Sequence, residues 1–112
     1  MKIVHEPVYA YPVEATSDII GGKYKSLILW RLLQGTMRFS ELQEVVPCAS
    51  PKVLTQQLRE LERDGLIHRE VFPVVPPRVE YSLTEIGKKI KPIIDAMHTW
   101  GEEYILTRKQ SA

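Results

Sequence analysis

The chain has one cysteine, Cys48, among 112 residues. A single thiol can neither close an intrachain disulfide nor supply the paired thiolates of a zinc ribbon, and it fits a reducing, cytoplasmic setting. Long apolar runs are also missing. The longest clean stretch, Leu27 to Trp30, falls well short of the ~18–20 residues that span a bilayer, so no membrane is expected as a partner. The first residues meet His5, Glu6 and Pro7 before any apolar segment and do not read as a signal peptide. Charge of one sign is not in excess either. Fifteen Lys and Arg against 14 Asp and Glu leave +1, which excludes a polycation and an acidic tail, so any nucleic-acid contact must come from a local patch.

Catalytic signatures are equally scarce. Gly21-Gly22-Lys23 lacks the earlier glycine and the following Ser or Thr of a phosphate loop. The histidines His5, His68 and His98 have no metal-ligand spacing, and there is no nucleophile elbow. No metal, no cofactor and no enzymatic activity are expected. A 44% hydrophobic and 26% charged composition suits one globular domain over residues 1–112.

The order of local signals gives the architecture. Pro12 opens a first helix that Gly21-Gly22 ends, and Leu27, Ile28, Trp30, Leu32 and Leu33 mark a buried second one closed by Gly35. Ser40-Glu41-Leu42-Gln43 reads as a capping box, and Pro47 stops the short helix it starts. After Pro47-Cys48-Ala49, Ser50 at N-cap and Pro51 at N1 begin another helix that Gly65 terminates. Two helices so closely joined form a helix-turn-helix. Two β-favouring runs, Leu66–Phe72 and Val79–Leu83, flank Pro73–Arg78 and predict a projecting hairpin. A last helix, capped by Ser82 or Thr84 and kinked at Pro92, extends to about Tyr104, with residues 108–112 frayed. The predicted fold is mainly α with a small β-hairpin, a winged helix-turn-helix.

Within the helix from Ser50, Val53, Leu54, Leu58 and Leu61 fall on one face, and Lys52, Thr55, Gln56 and Arg59 on another. The second group supplies the donors and acceptors that reach base edges in a major groove, Gln pairing with adenine and Arg with guanine. Arg63, beside Glu62 and Asp64, reads as solvated. Residues 23–59 hold six basic and two acidic side chains, a positive concentration that phosphates would meet. Lys23, Arg38, Ser50 and Arg78, the last placed at the wing tip, are the candidate phosphate or minor-groove contacts. Double-stranded DNA is therefore the expected partner. The competing reading uses the same hairpin and helix as a protein-interaction surface without sequence-specific DNA binding. The apolar stripe Ile94, Met97, Trp100 and Tyr104 has no partner left in so small a domain and predicts a homodimer. Nothing in the residues names a small-molecule effector.

GGKYKSLILWRLL, RFSEL, SPKVLTQQLRELERDGLIHR, FPVVPPRVEYSLTEIG and Trp100-Gly101, in this order from Pro12 to Gly101, resemble the HxlR family of bacterial winged helix-turn-helix transcription regulators. The resemblance implies homodimers through the first and last helices, roughly palindromic operators and genes concerned with aldehyde, quinone or oxidative stress. Many relatives carry a sensing cysteine immediately before the Pro-Val-Glu of the first helix, where this chain has Tyr11. Cys48, in the helix-turn-helix turn, is then the candidate redox group, set against its reading as a small buried filler. Tyr24 replaces the family's usual tryptophan and keeps an aromatic core residue.

Overall fold

The computed structural model describes residues 9–111. The readings of the first eight residues as free of a leader and of Ala112 as frayed lie outside the described residues.

Helix α1 (Pro12–Ile20) carries proline at its start, where the missing N–H would have no helical partner, and Glu14 in its first turn. Helix α2 (Lys25–Leu32) is the central pillar and buries Ile28, Leu29 and Leu32. Strand β1 (Met37–Arg38) leads directly into α3 (Phe39–Val45). The start of α3 corrects the expected capping box. Arg38 occupies the N-cap, and the Glu41 carboxylate accepts its backbone N–H at 2.9 Å, so Ser40 lies inside the first turn. The cause is tertiary: Arg38 is held extended by pairing with Glu80 across the sheet, and the chain turns helical only at Phe39.

Helix α4 (Pro51–Arg63) has the expected boundaries. The Ser50 hydroxyl accepts from the Val53 N–H at 3.2 Å, and Gly65, at φ +84°, reverses the chain in the left-handed conformation that glycine tolerates. Strands β2 (Ile67–Phe72) and β3 (Arg78–Leu83) form the expected antiparallel hairpin, paired from Ile67↔Leu83 to Phe72↔Arg78. Strand β1 adds Met37↔Tyr81 and Arg38↔Glu80 on the other side of β3. The sheet order β1-β3-β2 leaves β2 at an edge.

The expected kinked last helix is two helices, α5 (Glu85–Lys88) and α6 (Lys91–Ser111). Pro92 falls in the first turn of α6, where its missing N–H is harmless, instead of bending a continuous helix. Thr84 caps α5: its hydroxyl accepts from the Gly87 N–H at 3.1 Å and donates to the Gly65 carbonyl at 2.6 Å. Gly87 is buried against the turn after α4, where an added Cβ would lie 2.0 Å from the Leu66 carbonyl oxygen. Helix α6 is drawn through Ser111, with Arg108 and Lys109 in its last turn, where cations suit the helix dipole.

The core joins Leu42 of α3, Val46 just after it, Leu54, Leu58 and Leu61 of α4, the α2 residues, Tyr81 of β3 and Ile94 of α6. Ile94 corrects the predicted dimer stripe. It is 3% exposed because the first turns of α6 pack on α2, so it serves its own chain. No helix among the described residues is long and apolar enough to cross a membrane.

Candidate nucleic-acid interface

Leu54, Leu58 and Leu61 commit one side of α4 to the core, and at 3.6 residues per turn the residues roughly opposite are Lys52, Gln56 and Arg59, all exposed. Thr55 is half-buried at the flank. These four side chains and Pro51 line one shallow depression, so the structure brings the four candidate base readers together. Lys52 and Arg59 make no ion pair among the described residues. Arg63 continues the same stripe, but its Nε lies 3.3 Å from Asp64 Oδ1.

Four interactions fix α4 and its leading turn. Besides the Ser50 cap, the Tyr24 backbone N–H donates to Gln57 Oε1 at 3.3 Å, and the Tyr24 hydroxyl donates to the Cys48 carbonyl at 3.1 Å. The fourth is an ion pair between Lys25 Nζ and Glu60 Oε2, 2.7 Å apart. Lys25, only 5% exposed, belongs to this seam and not to the outward positive patch. Its spacing was the available signal: Lys25, Ile28, Leu29 and Leu32 stand at i, i+3, i+4 and i+7, which places the lysine on the buried stripe. The Lys25 ammonium donates a hydrogen bond to the Glu60 carboxylate and holds its pKa below the usual 4.5, against the opposing effect of burial.

Of the other cations between residues 23 and 59, Arg31 lays its guanidinium on the Trp30 ring, 4.6 Å from the centroid. Lys23 is exposed, with its ammonium 5.3 Å from the Tyr24 ring centroid. Arg38 is exposed beside the start of α3. The Ser50 hydroxyl uses a lone pair on its own helix and keeps its proton for an outside acceptor. Arg78 is not at the wing tip. It opens β3 opposite Phe72, stacks on that ring at 4.4 Å and lies 3.0 Å from Glu80 Oε2. The tip itself is Pro73 to Pro77, with Val75 99% exposed. Arg38 and Arg78 share the outer face of the sheet and flank Glu80, because paired residues and i, i+2 neighbours point the same way.

Cys48 is an exposed free thiol, which corrects its reading as a buried filler; Ala49 takes the buried place in the turn. Along α6, Met97, Trp100 and Tyr104 are exposed, with the Trp100 and Tyr104 rings stacked at 5.2 Å. Among the described residues no three His, Cys, Asp or Glu side chains gather closely enough to hold a metal ion.

The profile of the HxlR-like helix-turn-helix family matches residues 19–109. The chain belongs to this family. It is 56% identical over 93 residues to the HTH-type transcriptional regulator YdeP of Bacillus subtilis (strain 168), spanning 83% of this chain and 73% of YdeP. Over 96 residues it is 53% identical to an HTH-type transcriptional regulator of Methanothermobacter thermautotrophicus, spanning 86% of this chain and 73% of that one. Among solved structures, the reduced form of the redox regulator HypR superposes with a TM-score of 0.84 at 46% identity, covering 89% of this chain and 99% of HypR. The oxidised form gives 0.79 at 49% identity, covering 83% and 96%. As an HxlR-type chain, this protein is a transcription regulator built on a DNA-binding winged helix-turn-helix.

Proposed function

We propose that the protein works in the cytoplasm as a homodimer on a roughly palindromic operator, its two α4 helices entering successive major grooves about one turn, ~34 Å, apart. Lys52, Thr55, Gln56 and Arg59 read base edges. Lys23, Arg38, Ser50 and Arg78 meet phosphates or the minor groove. The observation that carries this reading is the outward face of α4, where Lys52 and Arg59 stand exposed and unpaired opposite a buried leucine face. Unpaired cations beside a glutamine amide suit phosphate-flanked base edges better than they suit substrate turnover, so we read the chain as a regulator and not an enzyme.

A second copy is the occupant we assign to the exposed face of α6. The radius of gyration is 16.1 Å, against about 13 Å expected for a compact chain of this length, and beyond Ile94 the helix exposes Met97, Trp100 and Tyr104. Tyr11 and Val13 bring further exposed apolar surface at the start of α1. HypR is named a redox regulator; a thiol response in this chain would run through Cys48, whose carbonyl is tied to Tyr24 in the helix-turn-helix turn.

The deciding experiment selects genomic fragments bound by the wild type and compares them with random DNA for Arg59→Ala. A loss of about 1–3 kcal/mol on selected sites, with relaxed preference at one base position, is expected. Equal losses on both DNAs overturn the base-reading role.

A further inference from the structure

Leu54, Leu58 and Leu61 decide which side of α4 faces inward, but apolar packing is non-directional and leaves the helix some freedom to roll about its axis. Roll matters for a reader of bases. A turn of about 20° carries a side-chain tip, about 6 Å from the axis, through about 2 Å, enough to break a hydrogen bond to a base edge. Directional contacts can set that angle, and α4 has two of them on one flank. Gln57 and Glu60, three residues apart and so neighbours on the helix surface, lie between the leucine face and the outward face. Gln57 Oε1 accepts the Tyr24 backbone N–H at 3.3 Å, and Glu60 Oε2 meets the buried Lys25 ammonium at 2.7 Å. Both partners are consecutive residues at the start of α2, so the two pins share one base. On the opposite flank the side chains of Thr55 and Glu62 make no hydrogen bond or ion pair among the described residues.

Gly22 stands where the pins meet. An added Cβ there would lie 2.7 Å from Gln57 Oε1, 2.8 Å from Lys25 Cδ and 2.9 Å from Lys25 Cε. All three atoms belong to the far parts of flexible side chains, so an alanine would be admitted by pushing both pins aside. We infer that the Gln57 and Glu60 pins, seated against Gly22 and the first residues of α2, set the roll of α4 and thereby which base edges Lys52, Gln56 and Arg59 meet. Gln57 is then a positioning residue for sequence preference, and Gly22 influences specificity without being among the proposed DNA contacts. The inference rests on the base-reading role given to α4 above.

The test is a selection from a random double-stranded library by the full chain, followed by sequencing, for wild type, Gly22→Ala, Gln57→Met, Gln57→Glu and Arg59→Ala. Thermal melts of each are run in parallel. Gln57→Met keeps a side chain of similar length and removes the acceptor, whereas Gln57→Glu keeps an acceptor for the Tyr24 N–H. Gly22→Ala and Gln57→Met are each expected to relax base preference by about three- to tenfold at several positions together. Gln57→Glu should keep the wild-type profile, and Arg59→Ala should change one position. Where one of the first two variants does not fold, the other carries the test. If folded Gly22→Ala and Gln57→Met keep the wild-type profile, or lose affinity uniformly for every sequence, the pins do not set the reading, and base reading survives in the Arg59→Ala result. A change at a single position in Gln57→Met, with none in Gly22→Ala, makes Gln57 a base contact itself and overturns the positioning role. Gln57→Glu behaving like Gln57→Met overturns it too. An unchanged profile in Arg59→Ala removes base reading by α4 and this inference with it.

Discussion

Arg78 Nε lies 3.0 Å from Glu80 Oε2, two residues along the same strand, with the guanidinium stacked on Phe72. The wing cation proposed for DNA is therefore already engaged, and a phosphate must compete with Glu80 for it. Half-exposed pairs of this kind are worth only ~0.2–1 kcal/mol, so a phosphate can win. Glu80→Gln is expected to raise affinity for all DNA sequences about two- to fivefold and to steepen the salt dependence by up to about one phosphate equivalent. Binding measured against salt concentration checks this, and in an Arg78→Ala background the gain should largely disappear.

The Lys25–Glu60 pair predicts a pH signature. The folded pKa of Glu60 lies below its ordinary 4.5, so the stability it contributes is fully present above that value and is lost as pH falls through the folded pKa. Glu60→Gln leaves the buried ammonium without its counter-charge and should cost about 1–3 kcal/mol at pH 7. Denaturant melts of wild type and variant should converge as the pH is lowered through the depressed folded pKa of Glu60, since protonation removes the charge the variant lacks. A gap that stays constant would remove the ion pair as its cause.

Gly87→Ala opposes two effects of known size. Alanine gains up to ~1 kcal/mol over glycine inside a helix. Its Cβ, however, would meet the Leu66 carbonyl oxygen at 2.0 Å, backbone that cannot swing aside. Overpacking of this kind costs about 1–3 kcal/mol, so net destabilisation is expected, read as a lowered melting temperature. A neutral or stabilised variant would mean that α5 shifts freely.

Gly101 lies in α6, and nothing stands within 4 Å of an added Cβ. Its own chain gives it no steric reason to be glycine. Gly101→Ala should therefore raise the stability of the isolated chain by up to ~1 kcal/mol while weakening the homodimer, if the partner's helix packs closely there. Trp100→Asp, which places a charge on a side chain 65% exposed in the single chain, should yield monomers. Sedimentation checks both, and a wild-type chain already monomeric at micromolar concentration rules out the assembly.

The elements defined by local chemistry were legible in the sequence. Ser50-Pro51 and Gly65 bracket α4 because a cap, a fixed φ and a left-handed residue act within a few bonds. The leucine face of α4 followed from helical spacing alone. What stayed hidden depends on distant chain. The two residues of β1 carry no strand pattern of their own and become a strand by pairing with β3, which in turn moves the start of α3 off Ser40. Ile94 could not be told from Met97 or Trp100 by periodicity, because one stripe on α6 first meets α2 and then outruns it. Arg78 looked like a tip residue until the register set it opposite Phe72. Cys48 and Ala49 are neighbours of similar size, and only the path of the turn decides which faces inward. Of the proposed interface, the α4 residues were readable as a group, whereas the Lys25–Glu60 ion pair needed the packing of α2 on α4.

Strand β2 borders the sheet, and its outer margin leaves backbone N–H and C=O groups to water. His68, Arg69 and Glu70 stand exposed along it, and Pro73 follows directly after its end. A foreign strand docking there would have to strip solvent from those side chains, and the proline would offer it no donor. The β2 margin is thereby protected against lateral growth and amyloid-like stacking.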